Sequence, residues 1–152
     1  MKKHKVLDNI RAARLAHIKW VDGARKLVNG GEITEDEIPV ESTSCDFGHW
    51  FYSDGQVLLA IFSTASVKKL ESKHKELHQI YMKIFKIYFD MSKQSFFEKL
   101  FSKRKKISEK DKMEAHEELA YLEGISEELI AYLNIFEKNL NMIEEKDFEK
   151  LY

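Results

Sequence analysis

The sequence His74-Lys75-Glu76-Leu77-His78 places two histidines four residues apart, within a run from Gln56 to Ala120 that has no proline or glycine. Such a run is typical of helix, because proline and glycine are the residues that most disfavour a helix interior. Residues four apart in a helix are neighbours on one face, with Cβ atoms about 6 Å apart. The two imidazoles could therefore bind a single metal ion.

The composition indicates one globular domain built from helices. The chain has 152 residues, of which 43% are hydrophobic and 34% charged, with one proline and six glycines. This length can bury a core without a metal or disulfide staple. The net charge of -1 gives no general attraction to nucleic acid, and no apolar run is long enough to span a membrane. The N-terminus lacks the apolar core of a signal peptide, so a cytoplasmic location is expected.

The first predicted helix carries a third histidine within its apolar stripe. His17 should point inward, where its alternative role is that of a core histidine hydrogen-bonded to a neighbour. Trp20 should pack beside it, and Gly30-Gly31 should end the helix. The stripe has spacings of three and four residues and comprises Val6, Ile10, Ala13, His17, Val21, Ala24 and Val28.

The only cysteine of the chain precedes a short predicted helix. It follows a polar connection that contains Pro39 and one expected helical turn at residues 34–37. Asp46 is the expected N-cap. The helix dipole should then lower the pKa of the Cys45 thiol and favour the thiolate. The alternative is a buried and inert cysteine.

The C-terminal region, about residues 108–146, predicts a helical extension. Ser108 and Asp111 have the spacing of a capping box. Gly124 is expected to divide the helix, with Ser126 capping the second half. The apolar seam either packs into the bundle or pairs two chains. Its members are Leu119, Leu122, Leu129, Leu133, Phe136, Leu140 and Ile143.

A basic stretch precedes this extension. Residues 92–107 mix lysines with phenylalanines, and the basic side chains concentrate in residues 99–106. The pattern predicts an amphipathic surface for a partner helix, an acidic protein or an anionic membrane surface. The alternative is a connection between helices that neutralises acidic neighbours.

Four residues could together hold a zinc ion. Zinc prefers four ligands in a tetrahedron, taken from cysteine and histidine. Helical periodicity places the three histidines inward, and the cysteine is the remaining candidate. The spacing is not that of a zinc finger. The predicted ligands are His17, Cys45, His74 and His78.

Other metal chemistry fits the chain less well. A zinc protease needs glutamate directly after the first histidine of the pair, where this chain has Lys75. A di-iron bundle needs two Glu-x-x-His pairs, and Glu71 to His74 supplies one. No nucleotide fingerprint appears. The protein is therefore not expected to be an enzyme.

Three linked motifs resemble the bacterial chemoreceptor zinc-binding (CZB) domain family. They are His17-x-x-Trp20, then Cys45-x-Phe47-Gly48-x-Trp50, then His74-x-x-x-His78, in that order. The resemblance implies that the same four residues are zinc ligands and that the domain is a cytoplasmic regulatory module, often dimeric. Such modules accompany chemoreceptors and cyclic-di-GMP enzymes, and they respond to zinc or to oxidants that attack the zinc-bound thiolate. This chain would be a free-standing member.

The sequence thus predicts one all-α domain over residues 1–152, with a motif core at 17–78. The expected fold is a four-helix bundle with an additional short helix and Zn²⁺ in the bundle core. The expected function is sensing of zinc or of oxidation of Cys45, for example by hypochlorous acid, with helix repacking as the signal. The expected partners are a second copy of the chain and a bacterial signalling protein. The alternative is a zinc-stapled scaffold or adaptor without a sensing role.

Overall fold

The computed structural model describes residues 1–89 and 106–151, and within them the protein is an all-α bundle. Three long helices form its frame: α1 (Lys3–Val28), α4 (Thr64–Tyr88) and α5 (Glu109–Met142). Three short helices complete the set, namely α2 (Asp46–Phe51), α3 (Leu58–Ile61) and α6 (Glu145–Phe148). Single 3₁₀ turns cover Glu35–Glu37, Asp54–Val57 and Glu149–Leu151. The predicted all-α bundle is confirmed.

The long helices pack around α5, which runs antiparallel to both of the others. Ion pairs join Arg11 to Glu137 near one end of α1 and Arg25 to Glu123 near the other. In α4, Lys73 pairs with Glu128 of α5 and Lys83 pairs with Glu118, which gives the same antiparallel direction. Because α1 and α4 are both antiparallel to α5, they run parallel to each other. This places the middle of α1 beside the middle of α4.

The apolar stripes predicted from periodicity form the core. Every member of the α1 stripe is buried, His17 included. The α5 seam is buried from Leu119 to Leu140 and packs against α1 and α4 within the same chain. Of the two roles predicted for the seam, packing into the bundle is therefore the one observed. The 3₁₀ turn at Glu35–Glu37 matches the helical turn expected there.

Some helix ends lie where the sequence predicts them. The Ser108–Asp111 capping box is present, and α1 ends at Val28, shortly before Gly30, whose φ is +83°. The predicted break at Gly124 is wrong, because α5 continues through it and Ser126 is a buried residue within the helix. A glycine in a helix costs about 1 kcal/mol, which the buried seam on either side outweighs. The helix Glu109–Met142 is therefore continuous.

The basic residues 99–105 lie outside the described part of the chain, so the prediction about residues 99–106 stays a prediction. Among the helices of residues 1–89 and 106–151, none is long and apolar enough to cross a membrane.

Candidate metal centre

Four side chains from three helices meet in the interior between α1, α2 and α4. His17 lies in the middle of α1, Cys45 is the residue that caps α2, and His74 and His78 occupy successive turns of α4. One ligand atom of each lies within 4.8 Å of those of the other three. The structure therefore brings together all four residues that the sequence predicted as ligands.

Two atom pairs in this cluster have the separation that a single zinc ion requires. Nε2 of His17 lies 3.3 Å from Nε2 of His78, and Sγ of Cys45 lies 3.3 Å from Nε2 of His74. Zinc bonds of about 2.0–2.3 Å in a tetrahedron separate neighbouring ligand atoms by roughly 3.3–3.7 Å. With all four ligand atoms within 4.8 Å of one another, the residues present fit a single zinc ion.

Backbone carbonyls decide which nitrogen of each imidazole faces the cluster. Nδ1 of His17 lies 2.6 Å from the carbonyl oxygen of Ala13, and Nδ1 of His78 lies 2.7 Å from that of Val40. A carbonyl only accepts, so both Nδ1 atoms carry the proton and both Nε2 atoms present lone pairs. Lone pairs 3.3 Å apart repel each other unless a cation lies between them. This arrangement is one that a metal ion could occupy.

Burial keeps these histidines neutral. His17, His74 and His78 are 3%, 1% and 2% exposed. Loss of solvation lowers the pKa of His17, lowers that of His74 to about 2 and lowers that of His78 to about 4. Protons therefore do not compete for the Nε2 atoms at neutral pH. The neutral imidazole is the form that binds zinc.

Cys45 itself is the N-cap of α2, one residue before the predicted cap at Asp46. Its Sγ accepts a hydrogen bond from the backbone N–H of Gly48 at 3.2 Å. The prediction that the helix end lowers the thiol pKa is wrong. Burial raises the pKa of Cys45 and outweighs the backbone N–H groups of Gly48 and Phe47. The charge of a bound cation would reverse this balance, since a thiol that coordinates a metal is deprotonated.

Gly48 positions the cysteine by allowing two backbone segments to touch. A β-carbon at this position would collide with the carbonyl oxygen of Ser42, so the chain before Cys45 crosses α2 at a point where only glycine fits. The same carbonyl lies 3.5 Å from Sγ of Cys45. The crossing thus directs the sulfur toward His74.

A further set of hydrogen bonds ties the site to residues 36–40. Trp20 donates from Nε1 to the carbonyl of Asp36 at 3.1 Å, and the Tyr81 hydroxyl donates to the carbonyl of Glu37. The Trp20 ring also lies against His78, with centroids 4.4 Å apart. Together with the bond from His78 to residue 40, these contacts fix the orientation of the imidazole. Sequence reasoning identified Trp20 but missed Tyr81, which lies on the α4 stripe three residues after His78.

Aromatic rings cover the other side of the site. Phe47 packs edge-on against His17 and His74, at centroid distances of 6.1 and 4.9 Å. Trp50 packs against Phe47 at 5.7 Å. The ring that faces the cluster on this side is therefore Phe47, with Trp50 behind it.

The sequence of this region is similar to one known family. Residues 17–85 match the family model of the chemoreceptor zinc-binding (CZB) domain. The match begins at His17 and includes the other three residues of the cluster. Comparisons with curated proteins and with solved structures give no match.

The matched segment thus has a group of four donors, three of them buried, that could bind zinc. His17, Cys45, His74 and His78 would supply three nitrogens and one sulfur, a ligand set that zinc favours. Bound there, zinc would hold α1, α2 and α4 together and stabilise the Cys45 thiolate. With four protein donors, a tetrahedral ion has no open position for a substrate.

Proposed function

We propose that this protein is a cytoplasmic regulatory module that binds one zinc ion and changes its helix packing when the site is emptied or oxidised. The observation that carries the proposal is the pair of Nε2 lone pairs, on His17 and His78, that face each other at 3.3 Å. The family supports the same proposal, since the matched model is named for zinc binding in chemoreceptors. The closed set of four donors favours regulation over catalysis.

Cys45 is the residue through which the site would respond. Hypochlorous acid would convert its thiolate to sulfenic acid, with sulfur oxidised, the oxygen and proton of the reagent retained, and chlorine reduced to chloride. Sulfenic acid is a weaker metal donor than thiolate. The three histidines would then hold zinc less tightly.

Because Cys45 is also the N-cap of α2, its oxidation would affect the stability of that helix. The same sulfur accepts the hydrogen bond of Gly48 that begins α2, and α2 packs on α1. Loss of an N-cap costs about 1 kcal/mol of helix stability. Oxidation of Cys45 would therefore loosen α2 against α1, and the helix surfaces exposed there would carry the signal.

The partner in this proposal is a bacterial signalling protein of chemotaxis or cyclic-di-GMP signalling, and the module acts as a homodimer. These statements follow from the kind of protein in which CZB domains occur. Size-exclusion chromatography with light scattering tests the dimer. A monomer in both the zinc-loaded and the zinc-depleted protein would contradict it.

A permanent structural site is the second candidate, and the burial of the histidines favours it. All three are at most 3% exposed, whereas Cys45 is half-buried. A site that never exchanged its metal would staple the bundle and sense nothing. A chelator separates the candidates: slow or absent zinc transfer, with a thiol inert to hypochlorous acid, would support the staple.

Replacement of Cys45 by serine tests the ligand assignment. We expect one zinc per chain in the wild type and an affinity lowered by more than about 100-fold in Cys45→Ser, because changes outside the ligand set alone cost about 10–100-fold. Zinc released on addition of hypochlorous acid, in step with loss of the thiol, supports sensing. Equal zinc affinity in Cys45→Ser and wild type would refute the assignment.

A further inference from the structure

The metal centre is closed on most sides but adjoins a cavity beside α1. This cavity has a volume of about 410 Å³ and is lined by both His17 and Cys45. Its outer wall includes Ala12 and Ala16, which are exposed on α1. A route therefore leads from the surface, between α1 and the chain at Cys45, to the sulfur itself.

The walls of this cavity are mostly apolar, although charged side chains also line it. Ala12, Ala13 and Ala16 form the α1 side, and Trp20 and Phe47 form parts of the remaining walls. The small alanine side chains leave the space open, since a larger residue at the same positions would occupy it. Apolar walls favour uncharged molecules over ions, which must lose their hydration to enter.

The rim carries more negative than positive charge. Lys19 forms an ion pair with Asp36 across the cavity mouth, so these two charges offset each other. Asp46, next to the cysteine, adds one negative charge to the lining in excess of that ion pair. Anions approaching Cys45 would therefore be repelled, while neutral molecules would not.

We propose that the cavity lined by Ala12, Ala16, Trp20 and Phe47 is the binding site and access route through which small uncharged thiol-reactive molecules reach Cys45. The inference rests on the proposed function and extends it, because it names the class of molecule that the site admits and the side from which it arrives. A second cavity, of about 280 Å³ between Glu41 and Gln79, leads to His78 instead and is the competing route.

Reagent charge tests the route in the wild-type protein. Neutral 2,2′-dithiodipyridine and anionic 5,5′-dithiobis(2-nitrobenzoate) both react by disulfide exchange: the Cys45 sulfur attacks, the reagent disulfide breaks, a mixed disulfide forms and one thiol leaves. Cys45 is the only cysteine, so the released chromophore reports it alone. After division by the rates with 2-mercaptoethanol, we expect the neutral reagent to react at least tenfold faster. Equal normalised rates would overturn the proposal.

A plugging substitution tests the position of the route. Ala12 is exposed on α1 and lies outside the four-residue cluster. The substitution Ala12→Phe should therefore fill the cavity without removing a ligand. We expect the neutral reagent to react about tenfold more slowly, with zinc stoichiometry and equilibrium affinity unchanged. Ala131→Phe, an exposed alanine of α5, is the matched control and should react at the wild-type rate. An unchanged rate in Ala12→Phe, or slowing in Gln79→Phe instead, would overturn the proposal.

The outcomes for this route and for zinc binding are separable. If the wild-type protein bound no zinc, the proposed function would fail on stoichiometry, while the reagent rates would still test the cavity on the same protein. If zinc bound and Ala12→Phe had no effect on thiol reactivity, the route alone would fail.

Discussion

The α5 seam and the three histidines of the metal centre are both buried, yet their partners differ in kind. Leu140 and Phe136 of the seam are at most 1% exposed, and Phe136 packs against the ring of Phe62. His17 and His78 are as buried, but each donates Nδ1–H to one backbone carbonyl. An apolar side chain is satisfied by any close-packed apolar surface, whereas a buried imidazole needs an acceptor at one place. The stability of the seam therefore depends on close packing, whereas the metal centre depends on the placement of each hydrogen-bond acceptor.

The largest expected effect removes a ligand from the centre. His74→Ala should lower zinc affinity by more than about 100-fold, and the protein should lose the stabilisation that zinc gives, which is about 4 kcal/mol when zinc exceeds its dissociation constant 1,000-fold. Competition with a chromophoric chelator and thermal unfolding with and without zinc measure both quantities. His116→Ala, at an exposed position of α5, is the control and should bind zinc as the wild type does. If His74→Ala kept the zinc-dependent stabilisation, the metal centre would not depend on each of its ligands, and the contrast with the seam would fail.

The next effect concerns the seam. Leu140 is fully buried, so Leu140→Ala should lower the free energy of unfolding by about 2–5 kcal/mol through lost burial and the cavity left behind. Urea denaturation measures this change, and metal analysis should still find one zinc per chain. Ile135→Ala, at a residue 52% exposed on the same helix, should change stability by less than about 0.5 kcal/mol. If Leu140→Ala abolished zinc binding in protein that remains folded, the seam and the centre would form one unit.

The smallest effect is expected from Tyr81, whose hydroxyl bonds the chain segment beside the metal centre. Tyr81→Phe keeps the packing of a buried ring and removes the hydroxyl that donates to the carbonyl of Glu37. We expect a loss of about 1–3 kcal/mol in stability, because that carbonyl stays buried without its donor, and a decrease in zinc affinity of no more than about tenfold. Isothermal calorimetry and denaturation measure these changes. Tyr121→Phe removes an exposed hydroxyl bonded to Glu76 and should leave zinc affinity unchanged. A larger loss of affinity than in Cys45→Ser would show that residues 36–40 govern the site.

Sequence reasoning succeeded where periodicity decides the outcome. The stripe of α1 and the seam of α5 could both be predicted, because burial of one helix face depends only on spacing and on an apolar partner. The same rule placed His17, His74 and His78 inward. The grouping of these histidines with Cys45 rested on the chemistry of zinc, which prefers such a set.

The parts that sequence reasoning missed depend on tertiary contacts. The bonds from Trp20 and Tyr81 to residues 36–40 join elements whose relative position no local pattern specifies. Burial raised the pKa of Cys45, against the expected effect of the helix end, because desolvation depends on neighbours distant in sequence. The low helix propensity of glycine predicts a break at Gly124, yet α5 continues through this residue because the seam on either side is packed.

The distribution of the four donors along the chain bears on the order of folding. His74 and His78 are one helical turn apart, so α4 alone offers two ligands as soon as it forms. His17 lies 61 residues from His78 and joins them only when α1 docks in parallel against α4. Closing so long a loop costs more chain entropy than closing the shorter one between Cys45 and His74, which are 29 residues apart. Zinc held by α4 would therefore act as a template, recruiting the cysteine first and α1 last as the native topology is assembled.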